Sequence, residues 1–231
     1  MMEQRMKMGP IKAIVFDAFG TLFKFTRGGS ARTIMKYITD LGIEVDEEAF
    51  LKEWKPFYVA HTVGYDTFMT EREIFTARNQ MLYDRYSVDR DARADADELL
   101  SEASNRIAFP EVTSVLDELK NHYKVFIGSN TDDDVLESVM KKNNVSVGKI
   151  YTSENQRCYK PELRFYERIV ADNDFLPEEF LFVGDTGNDD IIGPKTAGMK
   201  TAFVDREGAG TDCWQDYTIA DLSELLTLLK K

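Results

Sequence analysis

Ile11-Lys12-Ala13-Ile14-Val15-Phe16-Asp17-Ala18-Phe19-Gly20-Thr21-Leu22-Phe23 is the stretch on which the reading of the fold turns. Ile14, Val15 and Phe16 form a nearly continuous run of β-branched and aromatic residues, which suits a strand covered on both faces, as in a parallel sheet. The run stops at a carboxylate, Asp17, and Gly20-Thr21 follows. A carboxylate at the C-terminal end of a buried parallel strand sits where α/β sheets bind ligands. A glycine just beyond it lets the backbone turn and approach a ligand closely. Taken alone, the stretch reads equally well as a strand followed by a capping loop.

The rest of the chain decides between these readings. From residue 111 onward, helical and strand-like patterns alternate. A helix is expected over 111–120 and a strand over 123–127, ending Gly128-Ser129-Asn130. Then come a helix over 132–143, a short strand over 149–152 and a helix over 162–172. A strand over 180–183 ends Gly184-Asp185; a short helix over 191–197, a strand over 201–204 and a helix over 221–229 complete the pattern. Such alternation means parallel strands with right-handed crossovers. Residues 25–110 differ: helical spacing recurs over 31–41, 46–61, 70–86 and 90–107, with no good strand. Asp46 reads as an N-cap, Pro56 as a kink, and Thr70 with Glu73 as a capping box. The expected organisation is a catalytic core from residues 1–24 and 111–231, interrupted by a helical domain over 25–110. Its joints fall near Gly28-Gly29 and Phe109-Pro110, and it sits over the end of the Asp17 strand as a lid.

Composition narrows the function. At 231 residues and a net charge of −12, the chain can bury a sizeable core and lacks the basic surface of a non-specific nucleic-acid binder. No apolar stretch reaches the roughly 18 residues of a membrane span, and residues 1–9 have no apolar core of a signal peptide. These features predict a cytoplasmic protein with free thiols at Cys158 and Cys213 and no nucleic-acid or membrane partner, and they do not exclude a small anionic substrate. No heptad run decides between monomer and homodimer.

Four predicted segments bring chemistry to one sheet edge: Asp17; Ser129 and Asn130; Lys160 in a loop; and Asp185 with Asp189 and Asp190. Clustered carboxylates make a hard, oxygen-rich site for Mg²⁺. Lys160 offsets their charge, Ser129 can bond an anion, and Asp17 can attack as a nucleophile. These segments resemble the four motifs of the haloacid dehalogenase-like (HAD) hydrolase superfamily: Asp17-Ala18-Phe19-Gly20-Thr21, Gly128-Ser129-Asn130, Lys160-Pro161, and Gly184-Asp185-Thr186-Gly187-Asn188-Asp189-Asp190. The resemblance implies a Rossmann-like, three-layer α/β/α core with a parallel sheet and an all-helical type-1 cap. It implies Asp17 as nucleophile and metal ligand, Ser129 bonding the transferred group with Asn130 beside it, and Lys160 neutralising charge. It also implies Mg²⁺ on Asp17, Asp185, Asp190 and the main-chain carbonyl of Phe19.

Phe19 is the departure. Most phosphatases of this superfamily carry an Asp two residues after the nucleophile, and general acid–base help is worth roughly 10²–10⁴-fold. Asp-Ala-Tyr/Phe-Gly-Thr instead resembles 2-haloacid dehalogenases, in which the aspartate displaces halide without acid or metal and a cap arginine meets the substrate; Arg27, Arg32 and Arg72 are the candidates. Asp185 and Asp190, unneeded by a metal-free site, favour a Mg²⁺-dependent phosphatase of a small phosphorylated metabolite working through an aspartyl-phosphate. The dehalogenase, or a weakened enzyme serving as a binding protein, is the alternative. Among the remaining residues, Asp132-Asp133-Asp134 reads as a solvated helix start. His61 and His122 read as surface or packing residues, as do Lys24, Tyr65 and Arg72. Trp54 and Phe57 read as packing inside the cap, and Cys158 as a thiol with no base beside it.

Overall fold

The computed structural model describes residues 10–24, 29–210 and 213–229. The joint residue Gly28 and the candidate Arg27 lie outside them. Six parallel strands form one sheet: β1 (Ala13–Phe16), β2 (Lys124–Ser129), β3 (Lys149–Thr152), β4 (Phe180–Gly184), β5 (Lys200–Val204) and β6 (Tyr217–Ile219). Their order is β3-β2-β1-β4-β5-β6, so β1 is central and the winding reverses between β1 and β4. That reversal opens a crevice at the C-terminal strand ends, the usual ligand position in an open α/β sheet.

Every residue of β1 is buried, which explains its continuous apolar run. Ile14 and Phe16 face a layer built from α5 (Val112–Lys120), α6 (Asp133–Lys142) and the C-terminal α10 (Leu225–Leu228), through Val115, Leu136 and Leu225. Ala13 and Val15 face the other layer, where α8 (Leu163–Ala171) contributes Phe165, Tyr166 and Ile169. The result is the three-layer α/β/α arrangement expected. Three local details differ from expectation. The three-residue strand β6 is too short to register as a period. The terminal helix begins as a 3₁₀ turn, Leu222–Glu224, before α10. The segment after β4 is a π-helical turn, Gly187–Ile192, continued by α9 (Gly193–Thr196).

Between β1 and α5 run four helices, α1 (Gly29–Thr39), α2 (Glu47–Thr62), α3 (Glu71–Tyr86) and α4 (Ala92–Ala103). They pack around a core of their own, including Ala31, Ile34, Ile38, Phe50, Leu82 and Leu99. The Asp46 cap and the Thr70–Glu73 capping box form as expected. Pro56 lies inside α2 without dividing it, and α4 ends at Ala103, well short of residue 107. Lining α3, the charged Arg78 and the amide Asn79 take buried positions alongside Ile74, Leu82 and Tyr83. α7 (Ser153–Gln156) is one turn after β3.

The helices are tied to the core by Asp132. Its two carboxylate oxygens accept from the backbone N–H groups of Glu71 and Arg72, at 2.8 and 3.0 Å. Asp132 is 2 % exposed, so it is not a solvated helix start; it supplies acceptors to the orphan donors at the start of α3. Arg72 is not a plain surface residue either, since it pairs with Asp97 at 2.8 Å and Asp134 at 2.6 Å.

Candidate active site

Asp17 follows β1 directly, and its N–H continues the ladder to Val183 O at 2.8 Å. Ser129 ends β2, and Gly184 ends β4. Lys160 stands in the loop before α8, where Asn130 fixes the backbone: Lys160 N–H donates to Asn130 Oδ1 at 2.7 Å, and Asn130 Nδ2 donates to Lys160 O at 3.0 Å. Lys160 Nζ then reaches Asp17 Oδ1 at 2.8 Å and Asp190 Oδ1 at 2.7 Å. Asp190 also accepts from Thr186 N–H at 2.9 Å, while Thr21 Oγ1 donates to Asp185 Oδ1 at 3.3 Å. The four predicted segments therefore meet at one strand-end site, and Asn130 is a loop fastener as well as a neighbour of it.

The close approach depends on two glycines. A Cβ on Gly20, whose φ is +103°, would come within 2.3 Å of Asp185 Oδ2. One on Gly184 would come within 2.3 Å of Asp190 Cγ. Either would push an acid out of the cluster, because contacts that short cannot be relaxed in a packed site.

Electrostatics follow from burial. Burial pushes the Asp185 carboxyl up to about 6, and Asp17 adds to the shift. Burial likewise raises Asp189 and Asp190, with Lys160 opposing in both cases. For Lys160 burial alone would lower the ammonium, but Asp17 and Asp190 more than reverse it. Ligand oxygens of Asp17, Asp185 and Asp190 lie within 4.8 Å of one another. This all-oxygen set of carboxylates fits a hard divalent cation such as Mg²⁺.

A cavity of about 730 Å³ opens over Asp17 and reaches into the helices. The strand ends supply Ser129, Asn130, Lys160 and Asp189; the helical side supplies Trp54, Tyr58, Glu71, Phe75, Arg78 and Arg106. Trp54 thus borders the cavity besides packing in the helical core. Among the arginines named from sequence, Arg32 is exposed and Arg72 is held by aspartates. The cavity arginines are Arg78 and Arg106, neither signalled by a motif. Arg106 lies over the Phe19 ring, 4.1 Å from its centroid, and feels the charges of Glu71 and Asp17. Glu71 accepts from Tyr58 Oη at 2.8 Å; burial and then Asp132 push its carboxyl from 4.5 to about 7. His61 stacks on Phe57, 4.4 Å between centroids, and His122 lies 3.7 Å from Glu118, so neither joins the site. Burial raises the Cys158 thiol, which leaves it a poor nucleophile. Neither Cys158 nor Cys213 is in a disulfide among the described residues.

The sheet, the switch-point acids and the lysine define a hydrolase site of the HAD type. The sequence model of the haloacid dehalogenase-like hydrolases matches residues 11–198, and the chain belongs to that family. It is similar to (S)-2-haloacid dehalogenase 1 of Pseudomonas sp. (strain CBS-3), 26% identical over 96% of this chain and 98% of that one. Among solved structures it resembles the HAD-hydrolase YfnB of Bacillus subtilis bound to magnesium, with a TM-score of 0.76 and 17% identity over 96% and 99% of the two chains. It also resembles the defluorinating L-2-haloacid dehalogenase Rha0230, with a TM-score of 0.73 and 24% identity over 96% of each chain. At these identities the structural likeness is one of fold. No helix among the described residues is long and apolar enough to cross a membrane.

Proposed function

We propose that the chain is a hydrolase of small organic anions working through Asp17, and that 2-haloacid dehalogenation is its reaction. This reverses the preference drawn from the motif-four acids, and the likeness to (S)-2-haloacid dehalogenase 1 weighs in the same direction. The observation that carries it is the placement of Arg106 over Phe19. The position that would hold a proton donor carries an apolar ring with a cation across it. A halide leaves with its bonding electrons and needs a positive neighbour, not a proton. In this reading an Asp17 oxygen attacks the halogen-bearing carbon, the carbon–halogen bond breaks, and an ester forms. Water then attacks that ester, releasing a hydroxy acid and restoring Asp17. Lys160, held on Asp17 Oδ1, aims the carboxylate, and Ser129 and Asn130 line the approach. The helical insertion over residues 25–110 acts as the cap that excludes water.

A Mg²⁺-dependent phosphatase is the second reading, favoured by the acid cluster. Asp17, Asp185, Asp190 and the Phe19 carbonyl would hold the ion, which would neutralise charge on a phosphoryl group. One comparison separates the two. Chloride release from the enantiomers of 2-chloropropionate is measured beside phosphate release from p-nitrophenyl phosphate, each with Mg²⁺ or EDTA and each with Asp17→Asn. Chloride release that ignores EDTA and vanishes in Asp17→Asn is expected. Mg²⁺-dependent phosphate release with no chloride would overturn the dehalogenase reading. Neither product would point to a binding protein.

A further inference from the structure

Arg78 on α3 is 2 % exposed, and its Nε and Nη2 are shut from water without an acceptor among the described residues. Its close partners among the described residues are rings: the Trp54 centroid lies 3.3 Å from the guanidinium carbon and the Phe75 centroid 4.5 Å. Ring contacts engage the face of a guanidinium and leave the N–H groups in its plane free to donate. Nε and Nη2 share one edge of that plane and form the two-donor fork that matches the two oxygens of a carboxylate. Glu71, seven residues earlier on the same helix face, takes its hydrogen bond from Tyr58 and forms no ion pair with Arg78. An unanswered buried cation is costly, and the rings offset only part of the cost.

Arg78 borders the cavity that Asp17 also borders, with Nε and Nη2 covered in this conformation, so a ligand meets them once a neighbouring side chain turns aside. Asp17 already has cations of its own, Lys160 in direct contact and Arg106 over Phe19. Arg78 enters the cavity wall from α3, with its guanidinium against Trp54 of α2. The cavity volume, about 730 Å³, falls in the range of roughly 300–1,000 Å³ that holds drug-sized ligands, far more than a three-carbon haloacid fills. We propose that Arg78 receives a second carboxylate of the substrate, so that the substrate is a dicarboxylate reacting at one end and anchored by Arg78 at the other. The two oxygens of a carboxylate match the two donors of the fork. The proposal rests on the cavity being the substrate site, as in the dehalogenase reading, but it is tested by binding alone.

The probes are glutarate and butyrate, neither of which can react. Binding is followed through Trp54 emission in a Trp214→Phe background, because Trp214, 85 % exposed, is the other tryptophan. Glutarate should bind at least about tenfold more tightly than butyrate, the ratio that one charge-assisted hydrogen bond supplies. Arg78→Gln should erase that preference, while Arg32→Gln, an equal charge loss on exposed α1 surface, should keep it. If Arg78→Gln fails to fold, Arg78→Lys retains the charge without the fork and should show a reduced preference. Equal affinities in the parent protein, no glutarate binding, or an undiminished preference in the folded Arg78 variant would overturn the proposal. Chloride release without a glutarate preference would defeat this inference and leave the dehalogenase reading standing. A glutarate preference that depends on Arg78, with no chloride from any haloacid, would do the reverse.

Discussion

Lys160 and Arg78 are both cations closed to solvent, 3 % and 2 % exposed, yet they are held in opposite ways. Lys160, at the strand ends, is answered by two carboxylates within 2.8 Å. Arg78, in the helical insertion, meets ring faces and, among the described residues, no carboxylate at ion-pair distance. The strand-end lysine has its partners before any ligand arrives, inside a cluster that stays rich in carboxylates. The helical side holds a buried guanidinium edge without an acceptor among the described residues, the feature on which the proposed choice of substrate rests. The sharpest way to break this contrast is to remove each cation in turn. Lys160→Met strips both carboxylates of their partner, and breaking a buried pair costs about 3–5 kcal/mol. Urea denaturation should show that loss, together with loss of turnover. Arg78→Leu should change stability by less than about 1 kcal/mol, because the lost ring contacts and the relieved unpaired charge oppose each other. Similar losses from both would erase the distinction.

Gly184→Ala probes how tightly the strand-end side is assembled. The added carbon meets Asp190 at 2.3 Å, and overpacking of this kind costs typically about 1–3 kcal/mol. Because Asp190 holds Lys160, activity should fall further than stability does, which turnover and melting temperature measured on one preparation would reveal. Equal, small effects would mean that Asp190 has room to move.

Acidity tests the helical side. The Glu71 carboxyl is raised from 4.5 to about 7 by burial and by Asp132. The folded state therefore binds a proton that the unfolded chain has already lost, and the slope of stability against pH is negative in that window. This contribution is complete below about pH 4.5 and is lost as the pH rises through 7. Glu71→Gln should flatten the fall in melting temperature between pH 5 and pH 7.5. An unchanged profile would show that Glu71 is solvated through the cavity and titrates as an ordinary carboxyl.

The strand-end residues were legible because parallel strands end on one edge: a run of buried residues followed by Asp17, Ser129 or Asp185 announces its own position. Lys160 was legible from its place before Pro161 and by its resemblance to the family pattern. Arg78, Arg106 and Glu71 were not, since a charged residue at helical spacing looks like a solvated face until the partner helix is known. Which residues of α3 are enclosed depends on where Trp54 and Tyr58 of α2 come to lie, and no local spacing encodes that. Asp132 misled for the same reason. Three acids at a helix start suit the helix dipole, and only the fold reveals that the first of them serves the N-terminus of α3. The strand β6 and the π-turn are too short to leave a period.

A third cation completes the contrast with the smallest expected effect. Arg72 is paired, like Lys160, but its side chain is 23 % exposed; its near partners Asp97 and Asp134 are 44 % and 67 % exposed, and the buried Asp132 is farther, 3.9 Å from Nε. It joins α3 and α4 to α6, so it lies on the seam between the helical insertion and the core. Water screens such pairs, which are usually worth about 0.2–1 kcal/mol. Arg72→Met should therefore lower stability by that amount and reduce its dependence on salt. The Asp132 contacts to the α3 backbone remain in that variant, because they are made by main-chain N–H groups. A loss as large as that of Lys160→Met would mean that the seam is held by Arg72 rather than by Asp132. The ranking of the three cations would then follow position in the fold, not pairing and burial.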